Sequence, residues 1–147
     1  MERKEAVQYI SLLLGGTLVG ANSFLLGCKT TDKKLFSKED QAYLDEIAET
    51  ILPETKTPGA KAAGVGQFMI VMITDCYDEK EQMIFREGMK KINEESETKF
   101  GKSYLNITPE QRHELLLQID SEQKQYSKNK KEDEPVHYFR MMKELTL

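Results

Sequence analysis

The side chains equipped for chemistry are few and scattered. Cys76, His113 and His137 supply one thiol and both imidazoles of the chain. A zinc-type site needs at least two ligands about two to five residues apart, and no two of these residues are so close. As a nucleophile Cys76 would need a local base. It falls instead on an apolar helical face, where a buried structural cysteine is expected. Glu94, Glu95 and Glu97, and again Glu132, Asp133 and Glu134, pair carboxylates as acid–base catalysts do, but charge runs of this kind normally form solvated faces. Gly59 to Gly64 has the spacing that opens a phosphate loop, yet Val65 and Gly66 stand where Lys and Ser or Thr must meet the phosphates. The methionines, among them Met69, Met72, Met83, Met89, Met141 and Met142, are expected to pack a core or an adaptable partner surface. No catalytic, cofactor-binding or metal-binding set emerges, so a non-catalytic role is expected.

The other cysteine, Cys28, has different surroundings. No charge stands between Glu5 and Lys29; Arg3-Lys4 precede the run, and Leu25-Leu26-Gly27-Cys28 close it. This is the layout of an export segment. Three forms fit it. A retained anchor would need about 20 predominantly apolar residues, and Gly15, Gly16, Gly20, Asn22 and Ser23 dilute the run. A twin-arginine signal would have Arg-Arg where Arg3-Lys4 stand. A lipoprotein signal over residues 1–28 would put a diacylglycerol on the Cys28 thiol, and this form is expected to lead. All three place the chain from Lys29 onward on the exported, periplasmic side of a bacterial membrane.

Chain length allows one domain after that segment. With 25 acidic against 21 basic residues, a net charge of −4 and a pI near 5.3, no nucleic-acid partner is expected. Ser37 opens a helix with an acid three residues on, and Leu44, Ile47, Ala48, Ile51 and Leu52 form its apolar face before Pro53 stops it. Pro58-Gly59 marks a turn. Val65, Phe68, Met69, Met72, Ile73 and Cys76 are expected to line the buried face of a second, central helix. Asp78 caps a third, with Phe85, Gly88, Met89 and Ile92 inward and Gly101 as its terminator. Thr108-Pro109-Glu110-Gln111 starts a fourth, with Leu115, Leu116 and Ile119 inward. Residues 121–134 are almost wholly polar and read as a solvated helix end or linker. Pro135 is expected to begin the last helix, with Phe139, Met142 and Leu145 on one side. The fold class is therefore all-α, a small irregular domain of about five helices, with the loop 53–66 and the last helix its loosest parts.

These pieces, in order, resemble the gluconate 2-dehydrogenase subunit 3 family. The resemblance rests on Ile51-Leu52-Pro53, Thr57-Pro58-Gly59-Ala60, Ala63-Gly64-Val65 and Phe68. It continues through Asp75-Cys76-Tyr77, Phe85-Arg86-Glu87-Gly88, Phe100-Gly101-Lys102 and Thr108-Pro109-Glu110-Gln111 to Phe139, Arg140 and Lys143-Glu144-Leu145-Thr146. Pro53, Pro58, Gly59, Gly64, Phe68 and Gly101 are its signature positions, and it spans about residues 35–147. It implies an exported accessory subunit of a large FAD-containing dehydrogenase of the glucose–methanol–choline type that oxidises a sugar or sugar acid, with a cytochrome c subunit in many complexes. FAD is then expected in the partner and no cofactor in this chain. Arg3-Lys4 in place of the family's twin arginine favours the Cys28 anchor over co-export. Family members usually continue beyond the Glu-Leu-Thr stretch, which implies a shortened partner contact here. The alternative is a stand-alone helical lipoprotein serving as a binding or structural module.

Overall fold

The computed structural model describes residues 35–147. Cys28 and the expected export segment lie outside them. Five α-helices follow one another: α1 (Lys38–Ile51), α2 (Val65–Cys76), α3 (Glu79–Phe100), α4 (Pro109–Asn129) and α5 (Tyr138–Thr146), with a single 3-10 turn at Tyr104–Asn106. Among the described residues there is no strand, so the all-α expectation holds. No helix among them is long and apolar enough to cross a membrane.

Local chemistry sets most helix starts. Ser37, Asp78 and Thr108 each accept the N–H of the residue three positions on, and the acid or amide there reaches back to the cap's own N–H. Two of the orphan donors at each helix start are thereby satisfied. Gly101 ends α3 at φ 69°, in the left-handed region that glycine enters without a Cβ clash. Ser96, buried in α3, donates to the Lys102 carbonyl at 2.8 Å and folds the chain back under the helix end.

Two boundaries differ from the sequence reading. The polar stretch after Ser121 does not fray at once, because α4 runs on to Asn129. Its Glu, Gln and Lys residues are good helix formers; Gln123 is buried, and Lys124 pairs with Asp120 one turn back at 2.8 Å. The last helix starts at Tyr138 rather than Pro135, with His137 as its cap.

The core is one cluster drawn from every helix, including Leu44 and Ile47 of α1, Met69 and Ile73 of α2, Phe85 and Ile92 of α3, Leu115 and Ile119 of α4, and Phe139 and Met142 of α5. Its buried hydroxyls have partners. Tyr43 donates to the Met89 carbonyl at 3.1 Å, and Tyr104 shares a hydrogen bond with Thr50 at 3.1 Å. Burial pushes the Tyr104 phenol up to about 12, despite that bond and the nearby Arg112. Helix α5 packs against all four others. It is a keystone of the core, not a loose end.

One close approach fixes the seat of α5. A Cβ on Gly88 of α3 would lie 2.3 Å from the Tyr138 ring. Gly88→Ala is therefore expected to force Tyr138 outward and to cost about 1–3 kcal/mol, as overpacked cores do. Urea denaturation checks this, with an unchanged midpoint as the contrary result.

Candidate interaction surface

Three acidic residues of α1 position the segment that follows it. The Glu49 carboxylate accepts the backbone N–H groups of Glu54 at 2.7 Å and Lys61 at 2.9 Å. Gly59 makes this possible, because a Cβ there would sit 2.3 Å from the Glu49 carboxylate. Asp45 accepts the Gly66 N–H at 3.1 Å, capping α2 from the neighbouring helix where Gly64 has no side chain to do so. Gly64 itself turns the chain into α2 at φ 75°. Pro53 and Pro58 are exposed along the same connector. The loop expected to be loose is thus tied to α1 at Glu54, Lys61 and Gly66.

Glu46 adds a charged hub. Its carboxylate pairs with Lys61 of the connector and with Arg112 of α4. Arg112 also donates to the carbonyls of Tyr104 at 3.1 Å and Leu105 at 2.7 Å. Burial pushes the Glu46 carboxyl up, but its bonds with Lys61 and the Arg112 charge outweigh this and hold it below the usual range. Because the folded value is the lower one, the hub stabilises fully above the ordinary 4.5 and is lost as pH falls through the folded value.

Against this frame α2 can bury only one side. Gly66 gives the closest approach to α1, where a Cβ would stand 2.8 Å from the Asp45 nitrogen, and Met69 and Ile73 follow on the same face. At about 100° per residue, Phe68 lies roughly 200° round the helix from Gly66. Phe68 is accordingly 49% exposed, not buried in the core as its spacing suggested. Val71, one turn on, is 44% exposed, and so is Leu52 at the end of α1. Cys76 is a free, exposed thiol rather than a buried structural one. Asp75 is the single charged residue in the twelve of α2. The helix expected at the centre of the domain is therefore at its edge, presenting an apolar strip of Phe68, Val71 and the half-buried Met72, with exposed Asp75 at its C-terminal end.

The other candidate residues are not brought together for chemistry. Among the described residues, no group of three His, Cys, Asp or Glu side chains is placed to hold a metal ion. His113, exposed on α4, opens onto a shallow groove of about 140 Å³ with Asp120 and Lys143. That carboxylate is already taken, by Lys143 at 2.6 Å and Lys124 at 2.8 Å. Burial raises the Asp120 carboxyl, but these two lysines more than offset it and leave it lowered, so it is a poor base. Gly101 serves the end of α3 alone.

Val71 and the clamps Asp45, Glu46 and Glu49 had no signal as individual residues. The available sign was collective: a helix with one charged residue in twelve in a chain that is 31% charged.

No curated protein and no solved structure matches the chain. The family model for gluconate 2-dehydrogenase subunit 3 matches residues 38–147, from the first residue of α1 to the last of the chain. The helical domain with its exposed α2 strip therefore belongs to the gluconate 2-dehydrogenase subunit 3 family.

Proposed function

We propose that this chain is a non-catalytic accessory subunit that seats on the large FAD-containing subunit of a sugar or sugar-acid dehydrogenase through the outer face of α2. The observation that carries this reading is the apolar strip of Phe68 and Val71, solvent-exposed on a nearly uncharged helix in a family named for a dehydrogenase subunit. Exposed apolar surface of this kind, framed by charged residues, is characteristic of protein interfaces. FAD fits the partner better than this chain. The described residues contain no strand, and so no strand–turn–helix unit of the dinucleotide-binding kind.

The subunit is proposed to work on the periplasmic side, held to the membrane by a lipid on Cys28. Six residues lie between Cys28 and Leu35, where the described domain begins, making seven residue-to-residue steps. At about 3.5 Å per extended residue they reach roughly 25 Å, enough to leave the domain free to meet a partner at the membrane surface. Cys28→Ala is expected to release the chain from membranes or to leave an unprocessed precursor. An unchanged intact mass and membrane fraction would remove the lipid anchor. For the partner, native purification of the tagged full chain should bring down a protein with flavin absorbance; elution of the chain alone would favour the stand-alone lipoprotein.

A further inference from the structure

The cap of α5 is unusual in being an imidazole. His137 Nδ1 accepts the Phe139 N–H at 3.2 Å, which requires a lone pair on Nδ1 and so the neutral ring with its proton on Nε2. The ring is half-buried, stacked on Tyr138 at 4.3 Å and 29°, with Tyr126 tilted against it at 5.4 Å. Tyr126 in turn donates to the Pro135 carbonyl at 2.9 Å, fastening the connector to α4. One side chain thus closes the first turn of α5 and anchors the aromatic stack beneath the connector.

We propose that His137 is an acid-released latch: a solvent proton taken up at Nδ1 abolishes the cap, and the first turn of α5 opens together with the connector from 130 to 137. The protonated ring would set one N–H against the Phe139 N–H, and water would have to replace it as acceptor. Its positive charge would also face the positive end of the α5 dipole.

The charged surroundings are mixed. From α3, Glu87 and Lys91 line the same groove, and Glu95 faces Tyr138. From α4, Glu122 and the Tyr126 phenol face the ring. On α5 itself Arg140 is paired with Glu144 at 2.7 Å. Burial and then Lys91 lower the imidazole below its ordinary value, outweighing Glu122. The Glu95 carboxyl is raised by burial and by Glu122, and one of its oxygens is buried without a partner. Because the folded imidazole is the weaker base, the latch contributes fully above the ordinary 6.5 and is lost as pH falls from there through the folded value. The Glu46 hub titrates in a lower window, below 4.5. Because α5 packs against α2, opening would also loosen the support of the apolar strip. The latch itself does not depend on any partner.

The test uses the full chain alone, by amide exchange at about pH 7.5 and pH 5.5 with correction for intrinsic rates, together with NMR titration of the His137 ring. The Phe139 and Arg140 amides should lose protection roughly fivefold in acid, the worth of a helix cap, while the α1 core amides hold theirs. The ring should show the Nε2–H tautomer at neutral pH and a midpoint below 6.5. His137→Asn, which caps without titrating, should keep the same protection at both pH values. Protection unchanged across the titration of the wild-type ring, a midpoint at or above 6.5, or an equal acid loss in His137→Asn would each overturn the latch.

Discussion

Phe68→Asp is expected to leave the domain folded and to abolish its association with the dehydrogenase subunit. The ring is about half exposed and makes no polar contact that the substitution would break. Its loss should change stability by no more than about 0.5 kcal/mol, as at other surface positions. At the centre of an interface the same change removes an aromatic anchor and buries an unpaired carboxylate. Truncating such an anchor costs 2 kcal/mol or more, about 30-fold in affinity, and the buried charge adds to this. Val71→Asp, one turn along the strip, should act in the same direction. Lys128→Asp, exposed near the end of α4, should do neither. Thermal unfolding by circular dichroism and co-purified flavin are the two readouts. A folded Phe68→Asp chain that retains its flavoprotein would move the interface away from α2. A large loss of stability would mean that Phe68 belongs to the core after all.

Phe139→Ala has the largest expected effect on stability. The ring is 1% exposed and belongs to the helix that touches all four others. Phe-to-Ala changes at such sites cost about 3–5 kcal/mol, from lost transfer free energy and the cavity left behind. A domain of this size has roughly 5–15 kcal/mol in total, so the variant should sit near its unfolding threshold at moderate temperature. The urea midpoint should fall by about a fifth of its value or more, with little change in slope. A loss below about 1 kcal/mol would show that α5 is not docked in solution, as its sequence alone had suggested.

Much of the fold could be read from local patterns because local physics decides it. Ser37, Asp78 and Thr108 mark three helix starts in sequence, since a cap acts on donors within three residues of itself. Gly101 announces the end of α3 for the same reason: its left-handed φ is a property of one residue. The inward faces of α1, α3 and α4 followed from amphipathic spacing, apart from Leu52 at the end of α1, because most residues on their far sides are charged or polar.

α2 offered no such contrast. A helix apolar all round reads as buried, and its periodicity cannot say which side meets a neighbour. Tertiary structure chose through Gly66, which lets α2 approach Asp45 of α1 and so turns Met69 and Ile73 inward and Phe68 outward. The role of His137 was hidden in the same way. Its sequence neighbours give it a place near a helix start, but only the folding of α5 against α3 and α4 puts Lys91, Glu122 and Tyr126 around the ring. The caps at Ser37, Asp78 and Thr108 and the glycine end of α3 were therefore determined by the sequence over a few residues at a time, whereas the length of α4, the start of α5 and the Asp45 cap of α2 were not. Which apolar surface stays outside for a partner was decided by packing, because that choice depends on residues distant in the chain.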